Sequence, residues 1–156
     1  MKHTYLLAGL FSLYAVGAMA IDLNTDALKK MQEEGHKILE EEQGARAFKL
    51  PNGNCLQAAG GNLVSNKCNG KASNQKWHFD GNNRLVSFDG NCVSAAGGGK
   101  QPGANAILQP CSGAGAQKWK LDGSKRLANP HGMCLQADGK NVVIAKCSGA
   151  ANQKWG

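Results

Sequence analysis

Acidic residues are scarce over most of this chain. From Phe48 onward it carries four acids (Asp80, Asp89, Asp122 and Asp138) against thirteen bases, a net charge of +9. Sugar hydrolysis needs two carboxylates at one site, and so thin a supply of acids argues against an enzyme. The four histidines (His3, His36, His78 and His131) are scattered, and no two cysteines stand at C-x-x-C spacing. A zinc site is built from such close pairs, so neither a metal nor another cofactor is expected. Beyond residue 20 only six aromatic side chains remain, which leaves little apolar area to bury per residue. No apolar run after residue 20 is long enough to cross a bilayer as a helix.

The first twenty residues are unlike the rest. Lys2 and His3 give a short basic start, Leu6 to Ala18 is almost unbroken apolar sequence, and Ala18-Met19-Ala20 has the small-x-small pattern of a cleavage site. Residues 1–20 therefore read as a signal peptide, and the mature chain as an exported protein, secreted or periplasmic, that begins at Ile21. Residues 21–47 hold seven acids and four bases, net −3, the opposite sign to the body that follows. Within 21–44, Asn24 or Thr25 can cap a helix and Gly44 can end it. Leu28, Met31, Ile38 and Leu39 recur at roughly helical spacing, with Gly35 interrupting the stripe. This acidic arm is predicted to be a short helix. It either rests on its own domain or offers a face to a protein partner.

The remainder repeats itself. Gln75-Lys76-Trp77, Gln117-Lys118-Trp119 and Gln153-Lys154-Trp155 lie 42 and then 36 residues apart, so one supersecondary unit has been used three times. Cys55, Cys92 and Cys134 each follow a glycine by two positions. Each precedes an aliphatic residue (Leu56, Val93, Leu135) and then an alanine two further on (Ala58, Ala95, Ala137). That alternation is a half-buried strand. Phe48, Leu85 and Leu127 stand seven residues before these cysteines and add a second apolar position per unit. A second cysteine closes each unit, and of fifteen connectivities one gives each unit its own staple: Cys55 with Cys68, Cys92 with Cys111, Cys134 with Cys147. In an exported chain such staples offset a thin core. Basic residues are spread over all three units and do not cluster with aromatics, so nucleic acid is not the expected partner.

Three units of about 40 residues, each with its own cysteine pair and each ending Gln-x-Trp, resemble the ricin B-type lectin family over residues 45–156. The resemblance implies an all-β fold, a β-trefoil with pseudo-threefold symmetry. It implies that Trp77, Trp119 and Trp155 pack in a shared core, and that each motif glutamine satisfies backbone groups of the preceding turn. Lectins of this family usually carry an aspartate two positions after the first cysteine. They carry an aromatic two positions before the second, and an asparagine before the Gln-x-Trp motif. Here the aspartate positions hold Gln57, Ser94 and Gln136, and the aromatic positions hold Asn66, Gln109 and Ala145. The asparagine positions hold Asn74, Ala116 and Asn152.

The carbohydrate-binding residues so implied are Gln57, Asn66, Asn74 and Gln75 in the first unit, and Gln136, Asn152 and Gln153 in the third. No unit has the stacking ring, and a neutral amide makes hydrogen bonds about half as strong as a carboxylate does. Lys67 and Lys146 beside these positions favour an acidic sugar. The middle unit, with Ser94 and Ala116, is the weakest candidate, and its longer loop Gly97–Gly103 is flexible by composition. The expected function is a weak, multivalent, non-catalytic glycan-binding module whose ligands include anionic glycans. The alternative is a degenerate trefoil that binds protein or serves as the cell-binding subunit of a toxin.

Overall fold

The computed structural model describes residues 25–42 and 44–156, without the side chains of 35–42; the expected leader, residues 1–20, lies outside the described residues. The arm forms α1 (Thr25–Glu42), and Gly35 does not interrupt it. Gly44 follows with φ +63°, the left-handed conformation in which helices commonly stop. Residues 25–34 are exposed throughout, and the apolar stripe is open at Leu28 and Met31, which are 46% and 70% exposed.

The body is built of ten strands. The first unit holds β1 (Asn54–Ala59), β2 (Asn62–Lys67) and β3 (Trp77–Phe79). The second holds β4 (Leu85–Ser87), β5 (Cys92–Ala95), β6 (Ala106–Gln109) and β7 (Lys120–Leu121). The third holds β8 (Leu127–Ala128), β9 (Met133–Asp138) and β10 (Asn141–Lys146). All pairings between them are antiparallel. Each unit contributes one hairpin, β1/β2, β5/β6 and β9/β10, and the register is the same in all three: Cys55 faces Asn66, Cys92 faces Gln109, and Cys134 faces Ala145. The glycine before each of these cysteines, Gly53, Gly90 and Gly132, has φ between +76° and +88°. Only glycine adopts that conformation without strain, which accounts for its recurrence.

The hairpins close on one another in a ring. Asn62 pairs with Ile107, Asn105 with Val143, and Asn141 with Val64, so each unit hands the same two positions to its neighbour. At the other end, the amides of Trp77, Trp119 and Trp155 donate to the carbonyls of Arg46, Asn83 and Lys125 at 2.9, 2.8 and 2.7 Å. This is the β-trefoil that the resemblance implies. Trp77, Trp119 and Trp155 are at most 1% exposed and lie with Phe48, Leu85 and Leu127 in one core. Each indole N–H donates at 2.9 Å to a strand carbonyl of its own unit, that of Leu56, Val93 or Leu135. Burial of an aromatic and satisfaction of its polar edge thus coincide three times.

The three disulfides form as the repeat requires, Cys55–Cys68, Cys92–Cys111 and Cys134–Cys147, spanning 13, 19 and 13 residues. The loop of the middle unit departs from the expectation drawn from its composition. Gly99 is buried and its carbonyl accepts from Asn129 Nδ2 at 2.9 Å, while the Gly103 amide donates to the Ile144 carbonyl at 2.8 Å. Two bonds to the third unit hold the loop, and at Gly99 the missing Cβ lets Asn129 approach closely enough to make one of them.

Candidate functional site

The implied sugar positions sit where each hairpin meets the short 3-10 turn before its tryptophan: Ser73–Gln75, Gly115–Gln117 or Ala151–Gln153. Alternation along β1 buries Leu56 and Ala58 and leaves Gln57 half-buried; along β9 it buries Leu135 and Ala137 and leaves Gln136 half-buried. The turn then brings the motif glutamine underneath. Gln75 Nε2 donates to Gln57 Oε1 at 2.8 Å and to the Lys67 carbonyl at 2.9 Å, and Gln75 Oε1 accepts from the Asn69 amide at 2.8 Å. In the third unit Gln153 Nε2 donates to Gln136 Oε1 at 2.9 Å and to the Lys146 carbonyl at 3.0 Å, while its oxygen accepts from the Ser148 amide at 2.8 Å.

Gln75 and Gln153, implied as sugar contacts, therefore lie beneath the surface instead. They are 2% and 1% exposed, with both ends of the amide engaged, so they hold Gln57 and Gln136 and present nothing outward themselves. Asn74 and Asn152 are tied as well, each donating Nδ2 to the carbonyl of Ala58 or Ala137 at 3.1 and 2.9 Å. That bond fixes the asparagine and leaves its oxygen as an acceptor. Asn66 is exposed and donates to Gln57 Oε1 at a long 3.4 Å.

The consequence is a defined polarity. The Gln57 oxygen accepts from both Gln75 and Asn66 and is filled, whereas the Gln136 oxygen accepts from Gln153 and keeps one lone pair; both side chains have their Nε2 donor to offer. A carboxylate in the same place would offer acceptors. Sequence reasoning missed this relay, although glutamine at 57 and 136 with serine at 94 was its signal. In the middle unit Gln117 keeps its backbone bonds, to the Pro110 carbonyl at 3.0 Å and from the Ser112 amide at 2.7 Å. Opposite it stands Ser94, which is buried, and Ala116 replaces the asparagine.

Charge around the site is set by which residues are already paired. Arg84 binds Asp80 and Arg126 binds Asp122 at 2.6 and 2.8 Å, and each arginine also donates to a serine carbonyl, Ser112 or Ser148. Burial alone would raise the two carboxyl pKa values. The hydrogen bonds from the backbone and guanidinium of Arg84 and Arg126 outweigh it and hold both below their ordinary 3.8.

A family model described as the ricin-type β-trefoil lectin domain matches residues 81–156. Just under half of the chain is thus similar to that lectin domain. That match takes in the second and third units of the trefoil; the first unit repeats their hairpin register, disulfide and indole bond. Among solved structures, the agglutinin from Abrus precatorius is similar with a TM-score of 0.67 at 19% identity, over 72% of this chain and 45% of the agglutinin chain. The chain thus spans under half of that protein. ThreeFoil, a designed threefold-symmetric protein, is similar at 27% identity and a TM-score of 0.63, over 72% of this chain and 96% of its own. The β-trefoil lectin of the Vibrio vulnificus hemolysin/cytolysin, solved with N-acetyl-D-lactosamine bound, is similar at 22% identity and a TM-score of 0.58, over 71% and 90%. At 19 and 22% identity the likeness is one of fold. Comparison with curated protein sequences finds no match.

Proposed function

We propose that this chain is an exported, non-catalytic glycan-binding module with two like sites, one on the first hairpin and one on the third. The observation that carries the reading is the glutamine relay. A buried amide with no freedom of its own holds a half-buried one at the surface, beside an asparagine whose oxygen is left to accept. Such preorganisation lowers the entropic cost of holding a ligand's hydroxyls. Two shallow sites on one small body bind weakly singly and gain by engaging a branched or clustered glycan together.

The outward donors of Gln57 and Gln136, with Lys67 and Lys146 next to them, suit ligands rich in acceptors, and acidic sugars most of all. Catalysis has no place in this reading, because Asp80 and Asp122 are committed to arginines and a glycosidase would need a free pair. The test is a glycan array followed by titration of Gln57→Ala/Gln136→Ala against the best neutral binder. Loss of about 0.5–1.5 kcal/mol per site, roughly tenfold in affinity, is expected. Unchanged affinity would remove both hairpin sites from consideration.

The second reading, a protein-interaction module or the cell-binding subunit of a toxin, draws on α1. Leu28 and Met31 lie exposed on a helix that carries Glu33 and Glu34. Deleting residues 21–44 separates the two readings: a lectin keeps its glycan binding, whereas a docking arm takes its partner with it.

A further inference from the structure

Away from both hairpin sites, the junction of the second and third units carries a groove of about 500 Å³ lined by Asn83, Lys118, Lys120, Asn129 and Pro130 over Trp119. Lys118 has extended backbone and Lys120 opens β7. Trp119 between them turns into the core, 1% exposed, so the two lysines leave the chain on the opposite side together, with Cα atoms about 7 Å apart. No acid lines the groove. Among the described residues neither Lys118 nor Lys120 makes an ion pair.

Two like charges held this close repel, and an anion between them relieves the repulsion. Amide donors are at hand. Asn129 accepts at Oδ1 from the His131 and Met133 amides and gives one Nδ2 hydrogen to Gly99, which leaves it one more to donate. The equivalent junctions are differently equipped. Between the first and second units the same positions hold Lys76 and His78, with Asp89 in the adjoining turn. After the third unit they hold Lys154 and Gly156. Of the three junctions, this one joins two lysines with His131 in place of the turn carboxylate.

We propose that this groove binds the sulfate oxyanion of a charged saccharide, as a site separate from the hairpin glycan sites. The saccharide part rests on the glycan reading, and the oxyanion part does not. The test titrates the isotopically labelled protein with a sulfated disaccharide, its desulfated parent and inorganic sulfate. The sulfated sugar should shift the backbone amides of 118–120 and 128–129 and bind about tenfold tighter than its parent.

Lys118→Gln/Lys120→Gln should lose that advantage. Lys100→Gln/Lys140→Gln, which removes the same charge elsewhere, should keep it within about twofold. Equal losses in the two variants, or shifts spread over lysines at large, would overturn the site in favour of a general field. Equal binding of the sulfated sugar and its parent, or no shift at 118–120 with either the sulfated sugar or inorganic sulfate, would overturn it as well. If inorganic sulfate shifts 118–120 and neither sugar binds anywhere, the oxyanion site stands and the glycan reading falls.

Discussion

In the first and third units a buried glutamine holds a half-buried one at 2.8 and 2.9 Å, and an asparagine stands beside them. In the middle unit Gln117 makes the same backbone bonds but faces a buried serine, and alanine replaces the asparagine. Beneath the surface the three units are alike: the same cysteine register, the same indole bond, the same carbonyl closing each tryptophan amide. The Gln-x-Trp motif is therefore a folding device in every unit, and only the residues placed over it decide whether it also supports a site. A repeat can keep its motif intact without the glutamine and asparagine over it, as the middle unit does.

The core side of this comparison breaks most visibly at the tryptophans. Trp77→Ala, Trp119→Ala and Trp155→Ala should each cost about 3–5 kcal/mol, since each also strands the carbonyl of Leu56, Val93 or Leu135. For a domain whose whole stability is on the order of 5–15 kcal/mol, urea midpoints should fall steeply and by similar amounts. A tolerated substitution in one unit would show that the three do not share the core equally.

The motif glutamines come next, and they separate core from site. Gln75→Ala, Gln117→Ala and Gln153→Ala each leave a backbone N–H and C=O without their partners, a loss of about 1–3 kcal/mol. Glycan affinity should fall with the first and third and stay unchanged with Gln117→Ala. If all three reduce binding alike, the middle unit has a site that its side chains do not reveal.

Much of this was legible in the sequence for a simple reason. Tryptophan, cysteine and the glycine at positive φ each do one thing that no neighbour can replace, so repetition exposes them. The relay was not legible, because Gln57 and Gln75 are 18 residues apart and meet only when the hairpin folds over the turn. Nor was the anchoring of the Gly97–Gly103 loop, whose partner Asn129 lies in another unit, 30 residues from Gly99. The helical arm was readable from its stripe, but not the exposure of Leu28 and Met31.

Acid sharpens the contrast between junctions. The hydrogen bonds of Arg84 and Arg126 depress the carboxyl pKa values of Asp80 and Asp122 below 3.8 in the folded protein. A depressed folded value means stability that is present above the unfolded pKa and lost as pH falls through the folded one. Melting temperature should therefore hold from neutrality down to about pH 4 and decline below it. Asp80→Asn/Asp122→Asn should flatten that decline. An unchanged slope in the double variant would assign acid sensitivity to other groups, Asp89 with its Ser87 and Asn91 bonds first among them.

The smallest effect tests a flaw confined to the first unit. Ser65 is 2% exposed, and its Oγ has no hydrogen-bond partner among the described residues. The hairpin register sets it level with Leu108 in the second unit and with the fully buried Ile144 in the third. A hydroxyl has thus been desolvated without return at a position where the other units place aliphatic carbon. Ser65→Ala removes the stranded oxygen and creates almost no cavity, so it should stabilise the protein by about 1 kcal/mol, roughly 4 °C in melting temperature for a domain of this size. Glycan affinity at Gln57 should be untouched, since Ser65 faces the core from β2. A loss of stability would mean that the hydroxyl does find a partner, and that the first unit is as well satisfied as the other two.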